Sequence, residues 1–191
     1  MVNDEQCKAL VAYHVANLKK TTGFTFTRWS SWFAKLIGAK TKNRSITLPW
    51  KRIYLRDGVF EDPNSGRGAL YPSGKLIALL AHEAVHAHQM GGWLYRWFYW
   101  TPRYLWSGGP GDGKFLVSQE VEAEATEACW RALLLGHRIV SEKHVSHGMR
   151  EGGTYQLPKG TDAEDISRQI CGLAQELMPS IAATYDDIIS G

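Results

Sequence analysis

The clearest helical period in this chain runs from Lys75 to Met90, where Leu76, Leu79, Leu80, Ala84 and Ala87 recur at three and four and so turn one stripe toward a core. Ser73 is placed to cap its start, Pro72 stands just outside, and Gly91-Gly92 supplies a stop. A second period covers residues 3–20: Asn3 or Asp4 caps it, Leu10, Val11, His14, Val15 and Leu18 form its stripe, and Gly23 ends it. On that stripe His14 reads as a core residue with a satisfied ring nitrogen, not as a ligand. Ser118 can cap a third helix, Gln119 to Leu135, which Gly136 closes. Thr161-Asp162-Ala163-Glu164 is a capping box that opens a C-terminal helix toward Met178. Pro179 predicts a break there, with a short helix following to Ile189.

Other stretches follow a different rhythm. Arg44 to Val59 alternates as a strand does, through Ile46, Leu48, Trp50, Ile53 and Leu55, with Pro49 confining part of it to an edge or a bulge. Phe24 to Lys40 is basic and aromatic, with Trp29, Trp32, Phe33, Leu36 and Ile37 at helical spacing, and core packing is favoured over a membrane interface. Residues 93–106 are aromatic on nearly every face. A buried helix beneath the functional site is the favoured reading, and a hydrophobic surface for lipid or a partner protein is the competing one. Gly108 to Gly113 reads as a flexible loop and His137 to Lys159 as irregular. The sum is a single α+β, mostly helical domain over residues 1–191. It divides into a basic helical region (1–44), a core (45–136) with a small edge-strand sheet beside the 75–90 helix, and a C-terminal helical region (137–191).

Composition changes this picture little, and charge somewhat more. The 191 residues are 44% hydrophobic and 21% charged, ordinary for a globular chain with a real core. Three scattered cysteines, Cys7, Cys129 and Cys171, make neither a disulfide framework nor a zinc knuckle and read as reduced core residues. No apolar run reaches the roughly 18 residues of a membrane span, and the acidic start Met1-Val2-Asn3-Asp4-Glu5 lacks the features of a secretory leader, so a cytoplasmic location is expected. The net charge of +3 hides an asymmetry: residues 1–56 hold 11 Lys/Arg against 2 Asp/Glu, whereas residues 57–191 hold 11 against 17. A solvated basic face is favoured over a nucleic-acid surface, because no nucleic-acid motif accompanies it.

The chemistry sits on the 75–90 helix. His82-Glu83-Ala84-Val85-His86 reads H-E-x-x-H. Residues four apart on a helix lie about 40° apart around its axis, one turn up. Two imidazoles can therefore converge on one Zn²⁺, while Glu83 on the flank reaches water without occupying a ligand position, where a general base belongs. Two histidines hold zinc poorly, and a catalytic site needs a third protein ligand. The extended pattern H-E-x-x-H-x-x-G-x-x-H fails, because Gln89 and Gly92 stand at its glycine and third-histidine positions. The 119–135 helix opens with Glu120, Glu122, Glu124 and Glu127; the first, third and fourth share a face and Glu122 points away. A divalent cation would relieve this crowding of negative charge, and so would a position in a first helical turn, which leaves a solvated acidic face open for Glu122 and Glu127.

His82-Glu83-x-x-His86 followed by Glu120-Val121-Glu122-Ala123-Glu124 resembles the gluzincin type of zinc metallopeptidase. That family carries H-E-x-x-H on one helix and E-x-x-x-D on the next. More narrowly, residues 45–135 are similar to small bacterial and phage-encoded metallopeptidases of unassigned substrate. The resemblance implies a zincin-like fold, Zn²⁺ as cofactor, a peptide or protein substrate, Glu120 as third ligand, and Glu124 at the position that supports a ligand histidine, with Glu replacing the family's Asp. Glu122 is the runner-up ligand. Zinc is also what two imidazoles and a carboxylate suit, although other divalent metals accept the same donors. The expected activity is hydrolysis of a peptide bond by a metal-activated water with Glu83 as base. Tyr95, His144, His147, Arg150 and Tyr155 are candidate donors to the developing oxyanion, and His88 points to another side. The alternative is a non-catalytic, metal-stabilised module that meets a membrane or a partner protein.

Overall fold

The computed structural model describes residues 2–28, 45–55, 70, 72–106, 113–145 and 162–191, which are mostly helical with one small sheet. Helix α1 (Asp4–Thr22) begins with a reciprocal cap: the Asn3 side chain accepts from the Gln6 amide at 2.8 Å, and Gln6 accepts from the Asn3 amide at 3.0 Å. Asp4 and Glu5 open it, Lys19 and Lys20 close it, and Gly23 ends it at φ 72°, a conformation that suits glycine.

Three strands follow: β1 (Thr25–Arg28), β2 (Ser45–Leu48) and β3 (Arg52–Leu55), in the order β1-β3-β2. β1 runs parallel to β3 with Phe26 beside Ile53, and β2 runs antiparallel to it with Thr47 beside Ile53. Within its described part, residues 45–55, the alternating stretch is therefore a hairpin and not one strand. Pro49 and Trp50 turn the chain, and Lys51 takes φ 63°. A residue with fixed φ and no N–H suits a turn better than a ladder. Residues 29–44 and 56–69 lie outside the described chain, and with them Trp29 to Lys40 and the end of the alternating stretch.

Helix α2 (Gly74–Gln89) is capped by Ser73, whose hydroxyl accepts from the Leu76 amide at 3.2 Å. Helix α3 (residues 93–106) joins α-helical Trp93–Tyr95, π-helical Arg96–Trp100 and α-helical Thr101–Trp106. Within 93–100 only Arg96 and Trp100, one turn apart, are buried, so the expectation of a buried aromatic helix is corrected. Residues 107–112 lie outside the described chain. Helix α4 (Gly113–Leu134) starts well before the expected cap at Ser118. After a 3₁₀ turn (Glu142–His144), helix α5 (Ala163–Ser190) runs unbroken through Pro179. Pro179 removes one helical hydrogen bond, to the carbonyl of Gln175. Both residues are exposed, so water can serve that carbonyl, while buried Met178 and Tyr185 hold the helix to the core on either side. Asp162 caps α5 by accepting from the Glu164 amide at 2.9 Å; Thr161 is outside the described residues.

The core lies where α1, α2, α4 and α5 meet, with β3 adding Ile53 and Leu55. None of the three cysteines is in a disulfide. The Cys129 thiol donates to the Ala174 carbonyl at 3.2 Å, and burial pushes its pKa up to about 12. No described helix is long and apolar enough to cross a membrane.

His14 sits in this core, edge-on to Trp130 of α4 with ring centroids 4.5 Å apart. Its Nε2 has no hydrogen-bond partner among the described residues, so the expected satisfied ring is also corrected. Burial alone pushes its pKa down to about 4 from an ordinary 6.5. The unfolded chain therefore takes up this proton first as the pH falls. Stability that is complete above pH 6.5 drains away down to about pH 4, a loss on the order of 3 kcal/mol. His14→Leu should flatten that limb. Urea unfolding of parent and variant at several pH values between 4 and 7 checks it; parallel curves would remove His14 from the account.

Candidate metal centre

Helices α2 and α4 pack antiparallel along their lengths. Gly74 lies against Leu134 at one end, and Gln89 donates to the Gln119 carbonyl at 3.0 Å at the other. Close approach is possible because α4 lines its buried face with Ala125, Ala128 and Ala132. The same packing buries polar groups from both helices: His82, Glu83 and His86 from α2, and Glu120, Glu124 and Glu127 from α4. Six such groups in one core demand mutual partners, since a buried charge left alone costs several kcal/mol.

The partners are geometrically definite. His82 Nε2 and His86 Nε2 stand 3.1 Å apart, and Glu120 Oε2 lies 3.5 Å from the first and 3.6 Å from the second. Donors on a tetrahedral zinc with bonds of about 2.1 Å are about 3.4 Å apart. The triangle thus has the size that a cation of this kind needs, and it is nearly closed to solvent. In the protein alone, burial would lower the pKa of both histidines, but Glu120, joined at His82 by Glu127, outweighs it and raises both, His82 most. Burial likewise works to raise Glu120, and the two imidazoles pull it well below the ordinary carboxylate range. The pocket is built around positive charge, which protons supply when no metal does.

The opposite ring nitrogens are held from behind. His86 Nδ1 lies 2.9 Å from Gln89 Oε1, and Gln89 in turn donates to the Gln119 carbonyl and, at 2.9 Å, to Glu122 Oε2. His82 Nδ1 lies 2.9 Å from Glu127 Oε2. The other Glu127 oxygen takes an ion pair from Arg131, whose Nη1 reaches the His144 carbonyl at 3.4 Å. Gln89 Oε1 keeps the proton of His86 on Nδ1 and turns its Nε2 lone pair inward, while at His82 the Glu127 carboxylate lies in ion-pair range of Nδ1 without hydrogen-bond alignment.

His82, His86 and Glu120 are thus brought together, and Glu83 is buried beside them with its Oε2 accepting a hydrogen bond from the Thr47 hydroxyl of β2. Glu124 belongs to the same buried cluster; one of its oxygens lies within 4.8 Å of ligand atoms of His82 and Glu127. Glu127 is the acid that meets His82 Nδ1, because antiparallel packing sets that part of α4 level with His82. The solvated reading of Glu127 is therefore corrected. So is the first-turn argument for these acids, since Glu120 is about two turns inside α4. Glu122 is exposed, and its carboxylate meets Gln89. His88 is exposed and bonded to the Ala84 carbonyl at 2.7 Å. Tyr95 is exposed on α3, and His144 is buried with Nδ1 accepting from the Ser141 amide at 3.0 Å. His147, Arg150 and Tyr155 lie outside the described residues.

Three roles escaped the sequence: those of Thr47 at Glu83, Gln89 at His86 and Glu127 at His82. Gln89 and Glu127 had a readable signal. Gln89 stands three residues after His86 on the same helix, and Glu127 pairs with Arg131 at four residues on the Glu120 face. Thr47 had none, because only the fold brings β2 to α2. Glu127→Ala should leave the fold intact and weaken zinc binding about 10- to 100-fold, as loss of an outer partner typically does. A competition titration against a chromophoric chelator reads this directly, and unchanged affinity would show that Glu127 does not orient His82.

No family model, curated protein or solved structure matches the chain.

Proposed function

We propose that this protein is a zinc-dependent peptide-bond hydrolase of the zincin type, with His82, His86 and Glu120 as metal ligands and Glu83 as general base. One observation carries the reading: three donor atoms from two helices converge at 3.1–3.6 Å in a buried pocket, and a fourth group, the buried Glu83 carboxylate on the same helix as the two histidines, is near enough to act electrostatically on His86. A purely structural metal has no use for that extra acid. Zinc, when bound, would acidify a water and polarise the substrate carbonyl.

The chain's own residues account for the proton. Water adds to the carbonyl carbon as Glu83 accepts its proton. The C–N bond then breaks as Glu83 returns the proton to the departing nitrogen. Thr47 holds the Glu83 carboxylate from one side, which fixes the orientation that both transfers need. Strand β2 supplies more than this hydroxyl. Among the described strands it ends the order β1-β3-β2, so its outer edge suits strand addition by an extended peptide.

The test is metal content together with chelator-sensitive cleavage. Purified protein supplied with zinc should hold about one ion per chain and cleave an unfolded protein such as reduced casein, and chelation should stop the cleavage. His82→Ala should hold none. Full metal content in His82→Ala would refute the site, and a zinc-loaded parent that cleaves no member of a broad peptide library would refute the hydrolase.

A further inference from the structure

Helix α3 reverses the usual order of a surface helix. Arg96 and Trp100 face inward, and Arg96 is held there by the Gly91 carbonyl at 2.9 Å, the Pro49 carbonyl at 3.3 Å and the Phe24 ring. Facing outward are Trp93 (62% exposed), Leu94 (65%), Tyr95 (45%), Trp97 (38%), Phe98 (73%) and Tyr99 (44%). A helix turned to water normally presents charged residues there. Six consecutive bulky groups with one inward interruption form a patch of the kind that marks an interaction surface.

The border of the patch says what it meets. The Arg96 bond to Pro49 draws the β2–β3 turn alongside, which adds Trp50 (43% exposed) and the exposed cations Lys51 and Arg52. Arg103 lies over the Tyr99 ring, 4.9 Å from its centroid. No acidic residue occurs between residues 84 and 111 or between 45 and 56. We propose that α3 and the β2–β3 turn form a membrane-docking face, seated at the headgroup level of an anionic bilayer. Tryptophan and tyrosine rings, apolar in body and polar at the tip, are the side chains that settle at that depth. Lysines and arginines at the rim are drawn to anionic lipid. A second copy of the chain is disfavoured by the same border, because a face whose described rim carries Lys51, Arg52 and Arg103 sets like charges against each other across a two-fold interface. No described helix is long and apolar enough to span a bilayer, and the proposed contact is a peripheral one. This inference does not depend on the hydrolase reading, although only three residues separate α2 from α3, so docking would hold the metal centre near the lipid.

The full chain, with and without zinc, is mixed with vesicles of pure phosphatidylcholine and with vesicles containing about 30% phosphatidylserine. Expected are co-sedimentation and a blue shift of tryptophan emission with the anionic vesicles, both weakening as salt is raised. Trp93→Ser combined with Phe98→Ser should cut partitioning about tenfold or more at unchanged far-ultraviolet circular dichroism. Leu94→Lys, a single change at an exposed position, serves as the second variant should the double one fold poorly. Lack of binding to anionic vesicles overturns the proposal. So does equal binding by the variants, or a concentration-dependent dimer that Phe98→Ser abolishes.

Discussion

Glu83→Gln is expected to keep its zinc and lose hydrolysis by a factor of about 10²–10⁴, the usual contribution of a positioned general base. The amide is nearly isosteric with the carboxylate, and its oxygen can still accept from the Thr47 hydroxyl, so the packing of β2 on α2 has no reason to change. His82, His86 and Glu120 are untouched, and they alone make the 3.1–3.6 Å triangle. What disappears is the ability to take a proton. The loss should therefore fall on kcat with little change in KM, since Glu83 acts on the transition state and not on substrate binding. Thr47→Val should produce a smaller loss, because it only frees the carboxylate to rotate. Zinc-loaded Glu83→Gln that cleaves as fast as the parent would remove Glu83 from the chemistry while leaving the metal centre standing. The parallel measurement of metal content separates those two failures.

The parts of this site that could be read in the sequence are those set by a single helix. His82, Glu83 and His86 lie within five residues, and their mutual placement follows from helical pitch alone. The caps of α1 and α2 were similarly local, since Asn3 and Ser73 need only the next few residues to do their work. Legibility falls off where two elements must meet. Nothing in the order of residues says that β2 delivers Thr47 to Glu83, which stands 36 residues later. The turn at Pro49 left a local trace, because the alternation of Ile46, Leu48 and Trp50 resumes out of phase at Ile53 and Leu55 after Pro49-Trp50-Lys51-Arg52. Pro179 misled instead: its local penalty is real, but burial of Met178 and Tyr185 on both sides outweighs one lost hydrogen bond. In α3 the ambiguity was intrinsic, because an all-aromatic helix reads the same whether it is buried or exposed.

Glu120→Met should abolish tight zinc binding, by a factor of at least about 10² in affinity, and yet leave the metal-free protein as stable as the parent or more so. Glu120 is nearly fully buried, and among the described residues it is the protons on His82 and His86 that face its charge when no metal does. Removing the carboxylate lets both imidazoles become neutral, and a thioether of similar length fills the volume between α2 and α4 without a desolvated charge. A buried ionic cluster exchanged for apolar packing is commonly neutral or stabilising. Added zinc then separates the two proteins. At a hundred times its dissociation constant, zinc should stabilise the parent by about 2.7 kcal/mol, equivalent to a rise of roughly 5–11 °C in Tm, and should leave Glu120→Met unmoved. Thermal unfolding with zinc and with chelator reads both effects at once. A metal-free variant destabilised by several kcal/mol would mean that Glu120 is retained for the fold, whereas the crossing of the two curves would mean that this acid is kept inside the protein for the cation it holds.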